Sequence, residues 1–120
     1  MILCHDDYFL SPAALERAVQ ILDSDQEISA VYSDLVFVNE TGRVLMKRHF
    51  RQRGRTSGDD IGRSSVRTAR NLFGIPVLIR KSHRGNLRYD RNLDYVNDVD
   101  LSWWISKERP LFHINEPMLA

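Results

Sequence analysis

Residues 28–48 have the sequence ISAVYSDLVFVNETGRVLMKR. The first part of this stretch, up to Val38, is rich in β-branched and aromatic side chains, which favour a β-strand. The segment NETG at 39–42 is typical of a turn, and RVLMKR after it predicts a second strand that returns beside the first. We therefore expect a β-hairpin here, and we interpret the rest of the fold around it.

The segment before the hairpin predicts a strand followed by a helix. Ile2 and Leu3 suggest a short buried strand. Ser11 is a favoured N-cap residue and Pro12 suits the first helical position. Apolar residues then recur with helical spacing, which predicts an amphipathic helix of about three turns. We expect its buried face to contain Leu15, Ala18, Val19 and Leu22.

The segment after the hairpin is polar at first. Residues 49–63 contain three glycines and many charges without clear periodicity, so we predict a long mobile loop. A short helix is expected within 64–74, ending near Gly74. Ile75-Pro76 then precede a strand, VLIRK.

The last third predicts a polar loop, a helix and a final strand. Asp98 is placed to cap the helix, and the sequence RPLFHINEPMLA at the end predicts a short strand and a Glu-Pro turn. We expect Val99, Leu101, Trp104 and Ile105 to share the buried face of the helix, with Trp103 facing a cleft or a partner. Alternating strands and helices indicate one α/β or α+β domain over residues 1–120, built on a mixed sheet.

Composition excludes several classes of protein. The chain has 120 residues, 42% hydrophobic and 28% charged, as in soluble globular domains. A net charge of +1 argues against a nucleic-acid partner, and the single cysteine excludes an internal disulfide or a Cys-rich zinc site. No apolar run approaches the ~20 residues that cross a bilayer. We therefore expect a cytoplasmic protein.

Three groups of side chains could supply chemistry. The adjacent acids Asp6 and Asp7 suit a hard divalent cation such as Mg²⁺ or Mn²⁺, or else they are a solvated strand end. Asp98, at the mouth of an apolar helix, suits a general base, although an N-cap needs no further role. Arg51 and Arg53 belong to a basic stretch that could bind phosphates or simply be solvated.

Five ordered segments together resemble the second half of the catalytic domain of a family 2 glycosyltransferase. They are ILCHDDYFLSPAALERAVQIL, ISAVYSDLVFVNETGRVL, NLFGIPVLIRKS, RYDRNLDYVNDVDLSWWIS and PLFHINEPMLA. The resemblance implies a partial GT-A fold, a Rossmann-like α/β sandwich with a mixed sheet, a β-hairpin and flanking helices. It also implies inverting transfer of a sugar from a nucleotide-sugar donor to an acceptor hydroxyl, with help from a divalent metal.

The resemblance assigns roles to individual residues. Asp6 and Asp7 fall on the acidic DxD-like motif that binds the cation and the donor diphosphate, with Cys4 where many members have the first Asp. Asp98 falls on the proposed catalytic base of the family, with Asn97 in place of the usual Glu. As a further hypothesis, Arg51 and Arg53 could assist the nucleoside diphosphate leaving group or close over the donor.

The resemblance also implies partners and a cellular site. We expect a glycan or lipid-linked acceptor, a role in cell-envelope polysaccharide, and peripheral association with the inner face of the membrane. The nucleotide-binding half of the family domain would precede Met1, so we expect a fragment whose open sheet edge favours self-association. The alternatives are a non-catalytic interaction module derived from the same fold and, less favoured, a metal-dependent phosphohydrolase built on His5, Asp6 and Asp7.

Overall fold

The computed structural model describes residues 6–84, 90, 92 and 97–120, without the side chains of Arg84, Asn97 and Asp98. These residues form helices and strands in a mixed order. The predicted strand at Ile2 and Leu3 lies outside the described residues. The elements are α1 (Ala13–Ser24), β1 (Ala30–Val38), β2 (Val44–Arg48), β3 (Gly54–Ser57), α2 (Gly58–Thr68), β4 (Pro76–Ile79), α3 (Lys81–Arg84), α4 (Asn97–Ser106) and β5 (Pro110–Leu119).

The strands form one five-stranded mixed sheet in the order β2-β1-β5-β3, with β4 also paired to β1. β5 runs parallel to β1, whereas β2 and β4 are antiparallel to it and β3 is antiparallel to β5. The predicted hairpin is confirmed, because Leu35 pairs with Arg48 and Phe37 with Met46. β1 is the central strand, with neighbours along both edges.

Helices cover both faces of this sheet, so the molecule is a three-layer α/β structure. Alternation along β1 explains how: Val31 and Leu35 pack with α1, while Ala30 and Tyr32 pack with α2 and α4. The predicted α/β class, with a mixed sheet and flanking helices, is therefore confirmed.

α1 begins at Ala13, one residue later than predicted, with Pro12 instead of Ser11 as its N-cap residue, and its buried face also differs from the prediction. The Ser11 hydroxyl accepts a hydrogen bond from the Ala13 backbone N–H at 3.2 Å. The buried residues are Ala14, Ala18 and Leu22, whereas Leu15 and Val19 are exposed. The small side chains of Ala14 and Ala18 let the helix lie close to the sheet. The buried face of α1 is therefore rotated by about one residue from the face that its large apolar side chains predicted.

The predicted mobile loop at 49–63 is wrong. Residues 54–57 form β3, and α2 begins directly after it, six residues before the predicted helix region. Ser57 caps α2, since its hydroxyl accepts from the Asp60 backbone N–H at 3.3 Å. Apolar periodicity does not predict this helix, because two of its buried positions are glycines, Gly58 and Gly62, which contribute nothing to an apolar pattern.

Those glycines allow α2 and α4 to pack closely. A Cβ on Gly58 would meet the backbone oxygen of Ser106 at 2.3 Å, and one on Gly62 would meet the Trp103 ring at 2.5 Å. Because successive turns of α2 meet α4 in reverse order, the two helices are antiparallel. The Trp103 indole N–H also donates to Asp59 at 3.1 Å.

The predicted roles of the two tryptophans in α4 are therefore reversed. Trp104 is 56% exposed with the Lys107 ammonium 4.9 Å from its ring centre, while Trp103 is part-buried against α2. The predicted N-cap at Asp98 is also displaced, since α4 begins at Asn97 and Asp98 lies in its first turn.

The predicted Glu-Pro turn near the end of the chain is instead an irregularity within a long strand. β5 continues from Pro110 to Leu119, and its register against β1 shifts on both sides of Asp34. Pro117 lies at this irregularity, where a missing backbone N–H costs no ladder hydrogen bond. The bulged strand faces Asp34, the buried acid of β1.

Candidate functional site

Acidic side chains lie on both sides of the carboxyl end of β5, which runs parallel to β1. The segment 8–10 pairs antiparallel with the end of β5: the Tyr8 backbone N–H donates to the Ala120 carbonyl at 2.8 Å, and Leu10 N–H to that of Met118 at 3.0 Å. Asp6 and Asp7 precede Tyr8, so they lie beyond the last residue of β5. Ligands of α/β sheets commonly bind at this edge.

A second acidic group lies on the other side of β5. Leu119 bridges Phe9 on one edge and pairs with Leu35 on the other. Asp34 directly precedes Leu35, so it and the pair Asp6-Asp7 flank the same strand end. Two strand spacings separate the two flanking segments, about 10 Å at ~4.8 Å per spacing.

Asp34 is a fully buried carboxylate with two hydrogen-bond donors and one guanidinium group around it. Its side chain is 0% exposed. It accepts from the Phe50 backbone N–H at 3.0 Å and from Nδ1 of His49 at 2.8 Å, and an Arg53 guanidinium nitrogen lies 3.9 Å away. A buried acid is stable only when its oxygens are satisfied in this way.

These donors keep Asp34 ionised despite its burial. Burial alone would raise the pKa of Asp34, but the hydrogen bonds from Phe50 and His49 and the positive charge of Arg53 together hold the pKa below its ordinary value. The carboxylate is therefore a fixed negative charge inside the sheet.

The arrangement orients the imidazole of His49. An ionised carboxylate only accepts hydrogen bonds, so Nδ1 of His49 carries the proton in this contact and Nε2 is the remaining nitrogen. The His49 side chain is 60% exposed. A carboxylate that holds one ring nitrogen is the usual means of presenting the other to a ligand or a proton.

His113 is the second histidine of this region and is buried. It is 2% exposed, its ring centre lies 5.3 Å from that of Phe50, and neither ring nitrogen has a hydrogen-bond partner among the residues that the structure describes. Burial lowers the pKa of His113 to about 4; Arg53 also lowers it, while Asp34 opposes the shift. His113 is thus neutral at neutral pH.

This low pKa predicts loss of stability in mild acid. Below about pH 6.5 the unfolded chain protonates His113 while the folded protein does so only near pH 4. The free energy of unfolding should therefore fall by about 2 kcal/mol from this group between about pH 7 and pH 5. Urea unfolding at both pH values measures the loss, and His113→Leu should remove it. An NMR titration that places the His113 pKa near 6.5 would contradict the prediction.

The predicted phosphate-binding arginines lie in the short connection between β2 and β3. Arg51 is exposed. Arg53 is 44% exposed and turns inward, because its guanidinium donates to the carbonyls of Phe50 and Gln52 beside Asp34. Both arginines are therefore exposed to solvent, and Arg53 also supports the loop that holds His49.

Part of the predicted site is outside the described residues. This applies to Cys4 and His5 and to the side chain of Asp98. The backbone of Asp98 lies at the α4 end remote from Ser106, and Ser106 is close to the start of β5. Within residues 6–84, 90, 92 and 97–120, no group of three His, Cys, Asp or Glu side chains is placed to hold a metal.

Sequence analysis assigned no role to Asp34 or His49. The available signal was the acid itself: Asp34 interrupts a run of buried apolar residues in the predicted strand. Such an acid requires partners, and the polar residues that follow the return strand of the hairpin are the nearest candidates.

No protein-family model matches the sequence, and no curated protein matches it either. No helix in the described part of the chain has the length and apolar character needed to cross a membrane.

Proposed function

We propose that this chain is the second half of a GT-A domain of a family 2 glycosyltransferase, which transfers a sugar from a nucleotide-sugar donor to an acceptor hydroxyl. The observation that supports the proposal is the position of Asp6 and Asp7 beyond the carboxyl end of β5, beside a parallel pair of strands. The ordered sequence resemblance is the second support, since it assigns the donor diphosphate to the same two acids.

The residues present fit a divalent cation of the Mg²⁺ or Mn²⁺ type. Both prefer oxygen ligands and keep several waters and substrate phosphates, so two carboxylates suffice from the protein. Asp6 and Asp7 would hold the ion, and when bound it would offset the negative charge that develops on the leaving diphosphate. In the same interpretation, the exposed Arg51 and Arg53 would add positive charge beside the leaving group.

The acceptor side of the proposed reaction requires a base. Asp98 has this role by resemblance, and its place in the first turn of α4 puts it at the end of the helix remote from the start of β5. A carboxylate there would take the proton of the acceptor hydroxyl as that oxygen attacks the anomeric carbon.

Thermal unfolding tests the donor site directly. With Mn²⁺ and either UDP or GDP in large excess over the dissociation constant, we expect the melting temperature to rise by about 5 °C. Asp6→Asn and Asp7→Asn should each abolish the rise because they remove the proposed ligands. Asp23→Asn, a change of an exposed acid at the end of α1, is the matched control and should leave the rise intact.

A rise that Asp6→Asn and Asp7→Asn do not alter would contradict the assignment of these acids. No rise with any nucleoside diphosphate would favour the second candidate, a non-catalytic interaction module. The exposed apolar end of the hairpin, with Leu45 66% exposed, is the observation that favours this alternative.

A further inference from the structure

The outer end of the β1–β2 hairpin exposes a run of apolar side chains. Phe37, Val44, Leu45 and Met46 are 42%, 50%, 66% and 54% exposed. Single exposed apolar residues are normal, but a contiguous group on a monomer usually marks a surface that binds something. We call residues 37–47 the apolar hairpin.

The apolar hairpin is apolar on both of its faces. Phe37 pairs with Met46 and Val38 with Val44, and neighbouring residues of a strand point to opposite faces. The register shift between these pairs leaves Leu45 as the extra, bulged residue, and it is the most exposed of the group. A partner that covered one flat face would leave the other face in water.

Cations flank these apolar residues. Arg43 and Lys47 are exposed on either side of the run, and within residues 37–47 the sequence has a single acid, Glu40 in the turn. Arg48 follows, with its guanidinium bound to the Asn71 carbonyl at 2.7 Å. Apolar side chains bordered by Lys and Arg are the composition that binds the headgroup region of an anionic bilayer.

The turn of the apolar hairpin is fixed by its own hydrogen bonds. The Asn39 side-chain oxygen accepts from the backbone N–H groups of Thr41 at 3.1 Å and Arg43 at 2.9 Å. Gly42 adopts φ +78°, which a glycine reaches without strain. The exposed side chains are therefore held by a preformed backbone, so binding carries no further entropy cost for ordering it.

We propose that the apolar hairpin is a docking surface for an anionic lipid bilayer. Phe37, Leu45 and Met46 would enter the boundary between headgroups and acyl chains, with Arg43 and Lys47 against the phosphates. A second copy of the chain fits less well, because pairing two β2 edges antiparallel would bring the cations of both copies together. This inference does not depend on the proposed glycosyl transfer.

Vesicle sedimentation tests the proposal. We expect the protein to sediment with vesicles of equal parts phosphatidylcholine and phosphatidylglycerol, to bind those of phosphatidylcholine alone far more weakly, and to dissociate as salt rises. Leu45→Ser should lower the partition coefficient about tenfold by removing buried apolar surface. Arg43→Gln with Lys47→Gln should lower it about thirtyfold.

Matched changes on α2 and directly after it distinguish this surface from nonspecific adsorption to vesicles. Val66 is 64% exposed, nearly the same fraction as the 66% of Leu45. Arg67 and Arg70 are exposed cations. Val66→Ser and the pair Arg67→Gln and Arg70→Gln should leave vesicle binding within twofold of the unchanged protein. Equal losses from these controls, or no binding to anionic vesicles, would overturn the proposal. A concentration-dependent dimer abolished by Leu45→Ser, without vesicle binding, would overturn it in favour of a second copy.

Discussion

Replacing Asp34 with alanine is expected to lower the free energy of unfolding by about 3 kcal/mol. The carboxylate is fully buried, and its removal leaves the Phe50 backbone N–H without its acceptor inside the protein. It also removes the anchor of His49 and leaves the Arg53 charge beside a cavity. Urea unfolding at neutral pH measures the change.

Two further variants separate the parts of this effect. Asp34→Asn keeps an acceptor for Phe50 but loses the charge, so we expect a smaller loss of about 1–2 kcal/mol. Asp23→Ala, at an exposed acid, should change stability by less than about 0.5 kcal/mol. An Asp34→Ala protein as stable as Asp23→Ala would contradict the role assigned to the buried carboxylate.

The pH dependence of the Asp34 contribution has a definite sign. Because the pKa of Asp34 is lower in the folded protein than in the unfolded chain, its contribution is present above the unfolded value and is lost as pH falls through the folded one. The Asp34→Asn protein should lack this part of the acid transition. The loss from His113 begins at higher pH, so the two are separable.

Gly58→Ala is expected to destabilise the protein by about 3 kcal/mol, although alanine is the better helix former. The new Cβ would lie 2.2 Å from the Ser106 Cβ and 2.3 Å from the Ser106 backbone oxygen, and a backbone atom cannot move aside without shifting α4. Helix propensity alone predicts a gain of up to about 1 kcal/mol, so the two explanations differ in sign.

The control for this change lies in the same helix. Arg67 is exposed near the end of α2, so Arg67→Ala should alter the free energy of unfolding by less than about 0.5 kcal/mol. Thermal or urea unfolding of both variants gives the comparison. A Gly58→Ala protein more stable than the unchanged chain would show that α2 and α4 do not pack as closely as described.

Elements could be predicted from the sequence where the apolar side chains of the local pattern are also the residues that define the element. The hairpin was predictable because β-branched residues flank a polar turn, and α/β layering followed from alternating elements. α2 was not predictable from apolar periodicity, since close packing against Ser106 and Trp103 selects glycines instead of large side chains. The reversed roles of Trp103 and Trp104 have the same origin, because the space over Gly62 accepts an indole.

The candidate site was predictable only in part. Asp6 and Asp7 are adjacent in sequence and were identified from spacing and resemblance. Asp34 and His49 are separated by fifteen residues along the chain and meet only because β2 returns beside β1. Contacts of that kind depend on strand register, which a single sequence specifies only through the hydrophobic pattern of the strands and the turn between them.

The place of β5 beside the central strand has a consequence for synthesis. The ribosome completes β5 after the other four strands, yet β5 lies between β1 and β3 in the sheet. Until Pro110–Leu119 emerge, β1 and β3 both lack the strand that lies between them. Nascent chains that stall before Pro110 should therefore stay protease-sensitive and prone to aggregation, however well the early hairpin forms.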